Sequence, residues 1–380
     1  MKILFITRGF KPAIGGTETY INELYDNLSK KHEIICIVHS NPKRKEQDNI
    51  FQINSLKTKN RTVSFLHFII NSIKIALKQK FDVIHANTEI SGLSGIFIKF
   101  FKGKPLVTTI HDTGFIRFNP QWSWFGRASR RILKKIVCKF SNKVITVSPG
   151  VKNQLVRFLG VSNKNIEVIP YGLDTHKFNL RIRGNIRKKL NIKNKFLILF
   201  VGMLYPKKGL EYLIESLYNL SKKFSKFKLV LVGMEIYPGY KQKLIDLVDR
   251  FKLNDKIIFA GSVSYKEIPK WYIASDVFVL PSIDTEGLSL TCLEAGACGK
   301  PVVASTILED TNAVLRNKTA LIVRPRNVND LTENLLKLIK NKKLRYELGH
   351  NGRKYSENFS WVKTSKKTEE IYINLNGGKN

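Results

Sequence analysis

The sequence lacks any CxxC pair of cysteines. Its 4 cysteines (Cys36, Cys138, Cys292 and Cys298) are scattered through 380 residues. That excludes the usual thiol spacings for metal or redox work and suits a reduced, intracellular chain. No apolar run reaches the roughly 18 residues of a membrane span. The opening MKILFITRGF loses its apolar character at Arg8 and Gly9, so it reads as a buried strand instead of a signal segment. Internal repeats and low-complexity tracts are also lacking. Acidic residues are scarce, 30 against 65 lysines and arginines, for a formal charge of +35. Such an excess favours an anionic partner: nucleic acid, a membrane surface or a phosphorylated ligand. A nucleic-acid partner is set aside, because helix-turn-helix, RNP-like and zinc signatures are missing and the lysines are not interleaved with stacking aromatics. The chain is rich in Lys, Asn and Ile, as AT-rich coding DNA produces, and that accounts for part of the charge.

What is present suffices for large cores: 43% of the residues are apolar, and a length of about 150 residues per domain gives two or three domains. Short apolar runs recur at Ile3–Thr7, Ile34–Val38, Val83–Ala86, Leu106–Ile110, Lys143–Val147 and Glu167–Ile169. A second series runs Phe196–Val201, Lys228–Val232, Lys256–Phe259, Val277–Leu280, Val302–Ala304 and Ala320–Val323. Runs without alternation suit strands buried on both faces, and the helical patterns between them imply parallel βαβ units. Two series predict an α/β chain with two doubly wound sheets. The charged stretch Asn179–Lys195 between them reads as a surface connection. The segment Trp361–Leu375 reads as an amphipathic helix with Trp361, Ile371, Tyr372 and Leu375 as its apolar contacts.

Four groups of residues stand where apolar runs end. Gly15 and Gly16 lie between the first run and a helical pattern at Tyr20, Leu24 and Leu28; paired glycines there let backbone approach an anion, or simply make a tight turn. His111 and Asp112 close the run Leu106–Ile110, at the strand end where open α/β sheets bind ligands. An imidazole there suits a sugar hydroxyl or a phosphate, a structural histidine being the competing reading. Lys207, Lys208 and Gly209 precede the helical pattern Leu210, Leu213, Ile214 and Leu217 and suit a diphosphate, although lysines are common throughout this chain. Last comes Glu286-Gly287-Leu288, with Glu294 further down the following helix. Backbone N–H groups by Gly287 can meet a phosphate or sugar oxygen; Glu286 can accept from sugar hydroxyls and Glu294 from both hydroxyls of a ribose. Exposed or salt-bridged carboxylates are the alternative.

Together and in this order, the four groups resemble the retaining GT-B glycosyltransferases of family 4, the glycosyl transferases group 1. The resemblance spans nearly the whole chain. Its specific core is the E-x7-E pattern, Glu286 to Glu294 in EGLSLTCLEAGACGKPVVAS; VITVSPGVKNQL, IPYGLDTHKF and FSWVKTSKKTEEIY support it. It implies two Rossmann-like doubly wound domains facing a cleft: residues 1–178 for the acceptor, 179–358 for the nucleotide sugar, and a helix in 359–380 packing back on the first. By that resemblance Gly15 and Gly16 lie against the diphosphate and near the acceptor, and His111 and Glu286 contact the transferred sugar. Lys208 binds the diphosphate, with Lys207, Gly287 and Leu288 beside it, and Glu294 binds the ribose. The implied reaction moves a sugar from a UDP- or GDP-sugar to a saccharide or lipid-linked acceptor with retention, using no metal and no cofactor. The implied setting is cell-surface polysaccharide, lipopolysaccharide or glycolipid assembly.

Two departures stand out. Met203 occupies a position where the family usually carries Arg, leaving Lys207 as a substitute point charge. The residues after Ser305 read TILEDTN instead of the family's Gly-Gly and Pro-Glu. These departures motivate an alternative, a catalytically weak relative serving as a partner subunit.

Two segments suggest an anionic membrane as a further partner. Val63–Leu77 is unusually apolar for a surface helix, though it also suits a helix packed on the sheet. Trp122–Lys143 opens with Trp122, Trp124 and Phe125 and continues with Arg127, Arg130, Arg131, Lys134, Lys135, Lys139 and Lys143, the composition of an interfacial anchor. The expected location is cytoplasmic, peripheral on the inner face of the membrane.

Overall fold

A computed structural model describes residues 1–12, 15–44, 47–56, 58, 60–114 and 124–377. The chain forms two compact units: Met1–Gly172 with Ser360–Asn380, and Leu173–Phe359.

The first unit is built on a 7-stranded sheet of β1 (Lys2–Ile6), β2 (Glu33–His39), β3 (Ile50–Ile53), β4 (Val83–Asn87), β5 (Leu106–Ile110), β6 (Lys143–Thr146) and β7 (Ile166–Val168), in the order β3-β2-β1-β4-β5-β6-β7. The second holds a 6-stranded sheet of β8 (Phe196–Val201), β9 (Phe227–Val232), β10 (Ile257–Gly261), β11 (Val277–Leu280), β12 (Val302–Ser305) and β13 (Ala320–Val323), in the order β10-β9-β8-β11-β12-β13. Every strand pair is parallel. Helices connect most of the strands, so both units are Rossmann-like and doubly wound, and β4, β5 and β11 are buried along their whole length because both faces are covered. Twelve strands coincide with the apolar runs. The edge strand β3 (IFQI) has half-exposed residues at its centre and gave no continuous run to read.

Strand order reverses between β1 and β4 in the first sheet and between β8 and β11 in the second. Ligands of open α/β sheets bind outside the carboxyl ends of strands at such reversals. These two places carry the residues of interest.

The helix Trp361–Leu375 belongs to the first unit. Trp361, Ile371 and Tyr372 are buried; Thr364 donates to the Pro170 carbonyl at 2.8 Å and the His32 ring meets Glu369 at 2.7 Å. Gly172 lies so near Ser360 and Trp361 that a Cβ on it would stand 2.1 Å from the Trp361 backbone nitrogen. The division by compactness falls at Gly172–Leu173, earlier than Phe178, because Phe178 is buried in the second unit against Tyr265 and Tyr272. The stretch Asn179–Lys195 is no loose connection. Ile186 and Ile192 are buried, and Arg187 donates to the Ala274 carbonyl at 2.7 Å and pairs with Asp276.

Candidate functional site

In the first unit the carboxyl ends of β4 and β5 bring Asn87 and His111 together. Asn87 donates to Thr7 Oγ1 at 3.2 Å and to the Thr17 carbonyl at 3.3 Å, which turns its own oxygen toward His111 Nε2 at 2.5 Å. That oxygen can only accept, so Nε2 carries the proton, and Nδ1 accepts from the Tyr171 hydroxyl at 2.7 Å. Burial pushes the His111 imidazole down to about 3; Asp112 works the other way and Lys134 adds to the fall. His111 is therefore a neutral, oriented imidazole near pH 7. It can hydrogen-bond a hydroxyl, but it brings no positive charge to a phosphate.

Beneath it lies a polar layer of His85, Thr109, Tyr20 and Tyr372. His85 Nε2 meets Thr109 Oγ1 at 2.8 Å, Thr109 meets the Tyr20 hydroxyl at 3.2 Å, and His85 Nδ1 meets the Tyr372 hydroxyl of the C-terminal helix. Sequence reasoning missed Asn87 and His85. Their signal was a buried strand, VIHAN, broken by two polar residues at its carboxyl end.

Gly15 precedes the helix Gly16–Leu28. A Cβ on Gly15 would come within 2.3 Å of Glu18 Oε2, whereas one on Gly16 would meet open space. A side chain at 15 would have to displace the flexible end of Glu18, whereas Gly16 leaves open space for a ligand. Thr88, next to Asn87, has a φ of 103°, a strained conformation for a β-branched residue of the kind that clusters at functional sites.

In the second unit, the loops after β8 and β11 are stitched together. Gly209 (φ 69°) lies where a Cβ would stand 2.3 Å from the Pro281 carbonyl oxygen, and the Ile283 N–H donates to the Lys207 carbonyl at 2.8 Å. This closeness brings both lysines to Glu286. Lys208 Nζ donates to Glu286 Oε1 at 2.7 Å, Ser282 donates to the same oxygen at 2.7 Å, and Lys207 Nζ stands 3.7 Å from Oε2. Burial pushes the Glu286 carboxyl up, but Lys207, Lys208 and the Ser282 hydroxyl outweigh it and hold it below the ordinary carboxylate range. Two cations around one carboxylate leave a net positive site for an anion. Gly287 and the buried Leu288 follow, and Ser289 caps the helix Leu290–Ala297 through its hydroxyl.

Glu294 lies on that helix, 3% exposed. Tyr265 donates to its Oε1 at 3.1 Å and Tyr272 to its Oε2 at 2.9 Å. Burial raises it to about 7 against the pull of both tyrosines and Lys177. Each carboxylate oxygen keeps a second lone pair. Met203, where the family's cation would stand, is 47% exposed. Among the described residues, no group of three or more His, Cys, Asp and Glu could hold a metal ion.

The membrane segments fare differently. Val63, Leu66, Ile70 and Leu77 are exposed on the helix Arg61–Leu77. Trp122 and the side chains of Trp124, Phe125 and Arg127 lie outside the described residues. Lys134 is not a surface charge: it is 1% exposed and donates to the Asp112 carbonyl at 2.6 Å. Arg130 pairs with Glu89 at 3.7 Å. Arg131, Lys135 and Lys139 remain exposed beside Ile132, Ile136 and Phe140 on the helix Trp124–Phe140. Phe97, Phe100 and Phe101 of the neighbouring helix Glu89–Lys102 are exposed too, and Phe100 packs edge-on against Phe140. The sequence reading did not include them. Among the described residues, no helix is long and apolar enough to cross a membrane.

Two Rossmann-like units, one with paired lysines and spaced carboxylates at its switch point, define the GT-B glycosyltransferase class. The family model for glycosyltransferase family 4 matches residues 14–177 and that for glycosyl transferases group 1 matches 182–355. The chain belongs to this family. An uncharacterised glycosyltransferase of Methanocaldococcus jannaschii is 28% identical over 99% of both chains. A D-inositol 3-phosphate glycosyltransferase of Paenarthrobacter aurescens is 26% identical over 81% of this chain and 77% of its own. Among solved structures, Anabaena HepE in complex with UDP superposes with a TM-score of 0.82 at 22% identity, covering 98% of this chain and 100% of that one.

Proposed function

We propose that the chain transfers a sugar from a UDP- or GDP-sugar to a saccharide or lipid-linked acceptor with retention of anomeric configuration, without a metal, in surface-glycan or glycolipid assembly. The observation that carries this reading is the Lys207–Lys208–Glu286 cluster with Glu294 on the helix behind it. The two ammoniums offer the counter-charge a metal would otherwise give a leaving diphosphate, and Glu294 keeps lone pairs for ribose hydroxyls. Glu286, held ionised, suits hydroxyls of a sugar that turns cationic in the transition state. Both Lys208 and Ser282 donate to one oxygen of the Glu286 carboxylate, which makes it a poor nucleophile and favours attack on the leaving-group face, with a donor phosphate oxygen receiving the acceptor proton. His111, neutral and oriented, suits a hydroxyl of the transferred sugar.

The acceptor reading includes an anionic membrane on the cytoplasmic side. Exposed Phe97, Phe100, Phe101, Ile132, Ile136 and Phe140 beside Arg131, Lys135 and Lys139 support it, since apolar groups can enter the headgroup layer while cations meet anionic lipid. The exposed Met203 favours a second reading, a weak enzyme serving as a partner subunit. A sugar-nucleotide panel with and without lipid-linked acceptors, read as nucleotide release, tests both: turnover supports the transferase, and binding without turnover supports the partner.

A further inference from the structure

Arg8 follows β1 at the reversal of the first sheet, and none of the chemistry above uses it. Its guanidinium lies 4.7 Å over the Phe65 ring, and its Nε is buried without a hydrogen-bond partner. Among the described residues it has neither hydrogen bond nor ion pair. Burial lowers its basicity, and repulsion from Arg130 lowers it further. The nearby acids are engaged elsewhere. Glu89 lies 3.7 Å from Arg130 and 3.9 Å from Lys134, and Glu18 accepts from the Thr17 hydroxyl at 2.8 Å. His39, at the end of β2, presents two buried ring nitrogens without partners, and burial and Arg8 hold it neutral, down to about 4.

A half-buried guanidinium whose Nε is wholly buried without a partner, and which a second arginine repels, is costly when no anion meets it. Such an arrangement persists where a ligand supplies the missing charge. We propose that Arg8 is an anion subsite that takes a phosphate group of the acceptor. A planar guanidinium held over Phe65 presents its N–H edge to such a group in fixed geometry. The donor's diphosphate has its own cations, Lys207 and Lys208, in the other unit. Assigning the anion to the acceptor rests on the transferase reading; the anion subsite itself does not.

The test is calorimetric titration of the full chain with inorganic phosphate at constant ionic strength, and in parallel with UDP and with GDP. Because the chain is strongly basic, Lys354→Gln on the exposed surface serves as the control for diffuse attraction. Arg8→Gln should weaken phosphate binding by about tenfold or more, the loss expected for charge-assisted hydrogen bonds, with Arg8→Lys intermediate and Lys354→Gln unchanged. UDP affinity should stay within about twofold throughout. Arg8→Gln should melt no lower than the wild type, since it removes a repulsion. Unchanged phosphate affinity in a folded Arg8→Gln overturns the subsite. A parallel loss of UDP affinity overturns its assignment to the acceptor. Failure of the wild type to bind either UDP or GDP, with Arg8-dependent phosphate binding intact, removes the transferase reading and with it the acceptor assignment.

Discussion

Lys208 donates to Glu286 across a 2.7 Å hydrogen bond although 77 residues lie between them. The contact exists because Gly209 lets one switch-point loop rest on the other. In the proposed reaction, Lys208 must serve both Glu286 and the donor diphosphate. The net charge of the pair, and not either residue alone, sets the field on the reacting centre.

Glu286→Gln keeps the shape and removes the charge. Turnover should fall by about tenfold or more while donor affinity changes little, since the lost interaction strengthens as the sugar becomes cationic. Steady-state kinetics beside calorimetric donor affinity check this. An equal loss in both would make Glu286 a ground-state binding residue.

Glu294 makes stability depend on pH in a definite sense. Its carboxyl rises from the ordinary 4.5 to about 7 in the folded chain. Between those values the folded state holds a proton that the unfolded state lacks, so stability declines as pH rises through this window. The change is up to about 3 kcal/mol. Glu294→Gln should flatten that part of the profile in denaturant melts. If ribose hydroxyls donate to the carboxylate, UDP affinity in the wild type should also rise with pH near 7. A wild-type profile as flat as the variant's would show that the carboxyl is not raised.

Gly172→Ala places a methyl group against the Trp361 backbone. The main chain must shift, at a cost of about 1–3 kcal/mol or more, so the variant should melt below the wild type. An unchanged melting curve would mean that the 2.1 Å approach does not describe the molecule.

Membrane docking predicts co-sedimentation with anionic liposomes that weakens at high salt. Arg131→Glu, Lys135→Glu and Lys139→Glu together should abolish it, and Phe100→Ser with Phe101→Ser should weaken it at any salt. Lys134 is left unchanged because its burial would confound the result. Binding indifferent to anionic lipid excludes this face as the anchor.

Much of this was legible in the sequence, for an identifiable reason. Strands buried on both faces leave continuous apolar runs, and α/β sheets place ligand groups where those runs end, so His111, Lys208 and Glu286 could be singled out as candidates by position, and Glu294 by its spacing from Glu286. The edge strand β3 is half-exposed and left no run. Asn87 and Arg8 were hidden because their significance lies in partners: one fixes a tautomer and the other lacks a counter-charge. Lys134 misled for the converse reason. A helical stripe of lysines looks uniformly solvated, yet one of them turns inward to the Asp112 carbonyl.

The central claim is that the paired lysines hold the diphosphate of a nucleotide donor without a metal. The direct measurement is calorimetric titration of UDP and GDP in EDTA into the wild type and Lys208→Gln. The account predicts binding of at least one nucleotide in EDTA and a loss of about tenfold or more in the variant. Binding that requires added Mg²⁺ or Mn²⁺, or that is equal in both proteins, would contradict it.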